Sequence, residues 1–161
     1  MKGSAVFSSC GRYRYALWRH WGGPGGTAMI VGLNPSTADA MHDDPTIRRC
    51  IGFARDWGYS GLCMTNLFAY RATKPRDLMA ADDPAGPDND AWLVEQASRA
   101  ALVVASWGMH GAFGGRDCAV RALLPPLACL GLTRQGQPRH PLYLRRECRP
   151  VPWHPMLSLA R

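Results

Sequence analysis

The chain reads as an α/β protein: a short, mainly four-stranded parallel sheet with helices on both faces, in three layers. Three observations predict this. Four apolar runs of strand length lie at 28–32, 62–66, 101–106 and 128–133. Helical patterns alternate with them, at 44–58, 73–84, 86–100 and 114–127. Glycine, proline and cap residues punctuate the joins.

The elements follow in chain order. RYRYALWRHW, 12–21, alternates and is aromatic-rich, so it is a strand or hairpin arm, and GGPGG at 22–26 turns the chain. Residues 1–26 form an N-terminal strand or hairpin extension. AMIVG, 28–32, is the first core strand. In 44–58, Asp44 suits an N-cap, Pro45 the first helical position and Gly58 the end of the helix. Ile47, Cys50, Ile51 and Ala54 give that helix its apolar face. GLCMTNLFAY carries the second strand, ending near Asn66. TKPRDLMAADDP, 73–84, is a short helix and loop. The helix at 86–100 turns Trp92, Val94 or Leu93, and Ala97 inward. ALVVASWG, 101–108, is the third strand. Pro125 and Pro126 stop the helix of 114–127, and ACLGLT, 128–133, is the fourth strand. A basic loop, 135–146, leads to a proline-rich tail, 147–161, with a helical turn near its end.

The length of 161 residues suits a single domain with a real core. No run of about 18 apolar residues exists to span a membrane. MKGSAVFSSCGRYRY lacks the apolar region of a signal peptide, so a cytoplasmic location is expected. The six cysteines form no CxxC pair and no zinc spacing, and are expected as reduced, mostly core thiols. An iron–sulfur cluster would need ligands distant in sequence. No metal, no cofactor and a monomer are the expectations.

The formal charge is +7. Residues 1–38 carry four basic side chains and no acid, 39–96 carry ten of the twelve acids, and 97–161 carry nine arginines against Asp117 and Glu147. Basic ends suit a polyanionic partner. The competing explanation is codon bias, since Lys2 and Lys74 are the only lysines among 19 basic residues.

In open parallel sheets the ligand site lies beyond the carboxyl ends of the strands. Asn34, Asn66, the segment 107–110 and His140 all fall there. Each has an alternative role. Asn34 before Pro35 is a common turn-former. Asn66 in an apolar strand either bonds backbone or binds a ligand. Trp107 suits the core, His110 a surface or cap, and arginines of the tail a solvated face.

Four stretches, GLNPST, LCMTNLFAYRA, VVASWGMHG and RHPLYLRR, come in this order on suitable elements. In this the chain resembles the uracil-DNA glycosylase superfamily, over roughly residues 27–146. It also resembles a bacterial and phage family of unknown activity that carries GLNPSTAD, DPTIRR and RHPLYL. The first resemblance implies a three-layer fold and an enzyme that flips a pyrimidine out of DNA and hydrolyses its N-glycosidic bond.

It also implies roles. Gly32 and Leu33 line the base, and Asn34 orients water, although an amide is no base. Asn34→Asp would then supply a carboxylate and speed excision. Ser36 is small where uracil-specific enzymes carry a tyrosine, leaving room for a substituent at the pyrimidine 5-position. Asn66 reads the pairing edge. Phe68, Tyr70 or Phe53 stacks on the base, with Phe68 the first choice. His140 stabilises the departing anion. Leu144 fills the gap in the duplex, while Arg139, Arg145 and Arg146 hold phosphates. HDDPTIRR has no counterpart in that superfamily; its Arg48 and Arg49 suit contact with DNA phosphate or with a modified base. Asp44 has no counterpart beyond its cap. A second His-Pro pair at 154–155 competes with His140. Two other readings stand beside the enzyme: a base- or nucleotide-binding protein on the same fold, and a hydrolase of free modified nucleosides or nucleotides.

Overall fold

A computed structural model describes residues 1–153. The tail's helical turn and the His154–Pro155 pair lie outside the described residues. The architecture is α/β, around one seven-stranded mixed sheet with strand order β1-β2-β4-β3-β5-β6-β7. The strands are β1 (Lys2–Phe7), β2 (Arg14–His20), β3 (Thr27–Gly32), β4 (Gly61–Asn66), β5 (Leu102–Ala105), β6 (Ala128–Cys129) and β7 (Val151–Pro152). The helices are α1 (Pro45–Asp56), α2 (Pro75–Ala80), α3 (Asn89–Arg99) and α4 (Arg116–Leu123).

The four expected strands pair in parallel as β4-β3-β5-β6. The sheet is nevertheless larger and mixed. β2 runs antiparallel to β4, β1 to β2, and β7 to β6. The N-terminal segment is thus an integral edge of the sheet. The alternating pattern of 12–21 corresponds to β2; β1 is largely exposed and carries no long apolar run. β6 is only two residues long, and at Gly131 φ is +110°, a conformation that ends the expected strand of 128–133 early.

Side chains of neighbouring strand residues point to opposite faces. Ile30 joins Ile47, Cys50, Phe53, Leu62 and Val104 in one core, under α1. Met29 and Val31 join Leu93, Ala97 and Val120 in the other, under α3 and α4. Three layers follow. Helix α1 starts as its sequence dictates: Asp44 accepts from the Ile47 N–H at 2.9 Å and Pro45 takes the first position. In α3, Leu93 and Ala97 face inward and Val94 is exposed, which settles the register left open between them. Among the described residues no helix is long and apolar enough to cross a membrane. All six cysteines are free; burial pushes the thiols of Cys50 and Cys63 up to about 12.

Candidate functional site

The order β4-β3-β5 places a switch in connection direction at β3, where a crevice is expected beyond the strand ends. A cavity of about 430 Å³ lies there. Residues from the ends of β3, β4 and β5, the start of α1 and the 140–143 turn line it.

Asn66 ends β4 opposite Gly32 of β3. A Cβ on Gly32 would stand 2.7 Å from Met64 Cε and 3.0 Å from Asn66 Nδ2, so glycine makes room for the amide. The backbone around Asn66 is fixed. Asn89 Nδ2 donates to the carbonyls of Asn66 and Leu67 at 2.9 and 3.0 Å, and the Leu67 N–H donates to Gly32 O at 2.9 Å. The side chain is not so committed: Asn66 Oδ1 is buried and accepts no hydrogen bond. A buried polar atom without a partner is costly, which marks a place a ligand can satisfy.

Asn34 is held differently. Its Nδ2 donates to Ala72 O at 2.8 Å and Pro35 O at 3.1 Å, with Tyr70 O at 3.5 Å. These three acceptors fix the amide orientation and leave only Oδ1 for the crevice. Leu33 and Ser36 line the cavity beside it.

The turn after β5 closes one side. Gly108 adopts φ +77°, and its N–H donates to Pro138 O at 2.7 Å. Trp107 is buried; its Nε1–H donates to Gln137 Oε1 at 2.8 Å, and Gln137 Nε2 donates to Asp117 at 2.9 Å. Ser106 Oγ donates to Arg139 O at 2.7 Å and so fixes the residue before His140. His140 accepts the Leu142 N–H on Nδ1 at 3.2 Å. Its proton therefore sits on Nε2 in the neutral ring. Burial lowers the His140 pKa, with the Asp44 carboxylate opposing the shift.

HDDPTIRR divides its labour. Asp43 pairs with Arg19 Nε at 2.9 Å, and Asp44 both caps α1 and lines the cavity. From sequence, Asp44 is only a cap, because His140, across the crevice, lies 96 positions away in the chain. Arg14 was missed altogether: it is 2% exposed and lines the cavity. The signal was there, a charged side chain inside an aromatic strand that had to be buried.

Other expected site residues lie elsewhere. Phe68 packs in the core against Phe113 and does not line the cavity; Tyr70 and Phe53 do not line it either. The aromatic side chains at the cavity are Trp107 and Tyr143, the latter 5.5 Å from the His140 ring. Leu144 is 9% exposed and belongs to the α1-side core, which corrects its reading as an exposed wedge. Its neighbours Leu142 and Tyr143 are exposed at the rim, with Met109. Arg49 is also corrected: it donates to Leu144 O and lies over the Phe53 ring at 5.1 Å, bracing the turn. Arg48, Arg139, Arg145 and Arg146 are exposed, Arg146 beside Asp56 at 3.5 Å. Among the described residues no cluster of three or more His, Cys, Asp or Glu could hold a metal ion.

The fold and cavity define an α/β protein with a ligand-sized crevice at the carboxyl ends of its parallel strands. The chain belongs to the family described as "Protein of unknown function (DUF1643)", whose model matches residues 14–142. No curated protein and no solved structure matches the chain.

Proposed function

We propose that the crevice receives a pyrimidine turned out of DNA and that the protein hydrolyses its N-glycosidic bond, in the manner of the uracil-DNA glycosylase superfamily that its motifs resemble. The observation that carries this reading is Asn66. Its carbonyl oxygen is buried without a partner at the floor of the crevice, and an amide presents a donor and an acceptor to a base edge.

Asn34 cannot take a proton, and its amide hydrogens are engaged. Asp44 supplies the carboxylate instead. One of its oxygens accepts from Ile47, and the residue lines the same crevice as His140. In the reaction, water oxygen bonds to C1′ as the C1′–N1 bond breaks. The bonding pair leaves with the base, and the water proton passes to Asp44. Neutral His140 donates its Nε2–H to the charge that develops on the base. Ser36 leaves space at the pyrimidine 5-position. Tyr143 and Leu142, exposed at the rim, take the stacking and gap-filling roles.

A second reading, a base-binding protein without cleavage, is favoured by the engaged amide of Asn34. Single-turnover release separates the two. Duplex and single-stranded oligonucleotides carrying a panel of modified pyrimidines are incubated with the protein, then treated with alkali to reveal abasic sites. Release from one base, lost in Asp44→Asn and His140→Ala, supports the enzyme. DNA bound with no base released leaves the binding protein.

A further inference from the structure

Strand β2 buries two arginines, and their surroundings differ. Arg19, 4% exposed, is matched on every side. Its Nε pairs with Asp43 at 2.9 Å, Nη1 donates to Trp18 O at 2.9 Å, and Nη2 donates to Asp39 O and His42 O at 2.6 and 3.2 Å. Arg14 is more deeply buried, and its side chain has one hydrogen bond, from Nη1 to Ala38 O at 3.1 Å. Its Nε is enclosed with no partner. None of the ion pairs among the described residues includes it.

A buried guanidinium with unused donors is expensive to keep. Burial lowers the Arg14 pKa to about 10, with Asp44 opposing the shift, so the group is still charged at neutral pH. Arg14 shares the wall of the crevice with Asn34, Ser36 and Asn66. A guanidinium presents a planar fork of donors that matches the oxygens of a phosphate or carboxylate. An oxyanion arriving with a ligand would supply the partner that Arg14 lacks.

We propose that the pyrimidine taken by this crevice carries an oxyanion, which Arg14 binds while Asn66 reads the base. The inference rests on the base-binding reading of the site. The oxyanion can come from two sources: the phosphate of a nucleotide, or a carboxylate on the pyrimidine ring.

Calorimetry on the full chain distinguishes them, with uridine, uridine monophosphate, uracil, 5-carboxyuracil and inorganic phosphate as probes. Either the monophosphate should bind more tightly than uridine, or 5-carboxyuracil more tightly than uracil, by on the order of 10-fold or more. The pair that shows the gain names the source. The gain should vanish in Arg14→Gln and survive in part in Arg14→Lys. The comparison within the wild type needs no variant, so it holds even where Arg14→Gln fails to fold. Equal affinity within both pairs overturns the oxyanion and leaves the base reading standing. A gain that persists undiminished in folded Arg14→Gln overturns the role of Arg14. Inorganic phosphate binding as tightly as every pyrimidine probe overturns the pyrimidine, and with it the reading of the site.

Discussion

Asn34 Nδ2 lies 2.8 Å from Ala72 O, so the amide of the GLNP turn ties the end of β3 to the loop that follows Tyr70. Pro35 O and Tyr70 O crowd the same nitrogen. A group enclosed by three carbonyls has to be a donor.

Asn34→Asp therefore should not behave as the sequence suggests. It places a carboxylate against those carbonyls, replacing attraction by repulsion. The variant should lose about 1–3 kcal/mol of stability and gain no rate of base release. Urea unfolding of wild type, Asn34→Ala and Asn34→Asp checks this. An Asp variant as stable as wild type and faster in release would return the catalytic role to position 34.

This residue also shows where sequence reading stops. β3, β4, β5 and α1 were legible because local signals agree: buried runs, an Asp44 cap, a proline at the first helical position, a closing glycine. The gathering of Asn34, Asn66 and His140 at one crevice followed from the strand-end rule. What escaped needed distances. Leu144 and Leu142 are both apolar residues in one short turn, and only packing says that Leu144 enters the core while Leu142 stays out. The place of β1 at the sheet edge and the strand β7 escaped because one is exposed and the other contains a proline. Arg14 escaped because Arg12, Arg14 and Arg19 share one stretch, and only packing says that Arg14 is buried at the crevice while Arg12 is exposed.

Leu144 gives the next test. Leu144→Ala opens a cavity in the core under α1 and should cost about 2–5 kcal/mol of stability. Leu142→Ala and Tyr143→Ala, at exposed positions, should leave stability within about 0.5 kcal/mol and weaken binding to an oligonucleotide duplex. Thermal unfolding beside a binding titration separates the two patterns. A stable Leu144→Ala with impaired binding would restore that residue as the wedge.

The Trp107–Gln137–Asp117 chain holds the wall of the crevice from behind. Gln137→Ala removes the acceptor of a buried indole N–H and the donor to a nearly buried carboxylate. About 1–3 kcal/mol of stability should be lost, with a shift in tryptophan emission as Trp107 seeks another partner. No change in stability would mean that the chain is decorative.

Gly32→Ala probes the floor. Met64 Cε is the end of a flexible side chain and can move, but Asn66 Nδ2 belongs to the amide proposed to read the base. The fold should survive, while affinity for the base falls through the displaced amide. Unchanged ligand affinity in a folded Gly32→Ala would remove Asn66 from the site.

His140 links the site to pH. Burial disfavours its charged form, and protonation would also place a hydrogen on Nδ1, where the Leu142 N–H already donates. The folded pKa is therefore below the ordinary 6.5. An unfolded chain takes up this proton near 6.5, while the folded chain waits for lower pH. Between the two values the unfolded state holds more protons, so stability rises with pH. The contribution of His140 is fully present above 6.5 and fades as pH falls toward the folded value. His140→Gln should flatten that part of the stability curve. The neutral ring also keeps its Nε2–H donor in this window, so release of a base should not begin to fall at 6.5 through His140. Asp44→Asn removes the opposing charge and should lower the His140 pKa further. Proton NMR of the imidazole, followed from pH 8 to pH 4 in wild type and Asp44→Asn, reads both shifts. A wild-type ring that titrates at or above 6.5, or an Asp44→Asn ring that titrates higher than wild type, would show that Asp44 and His140 do not share the crevice in the way the geometry requires.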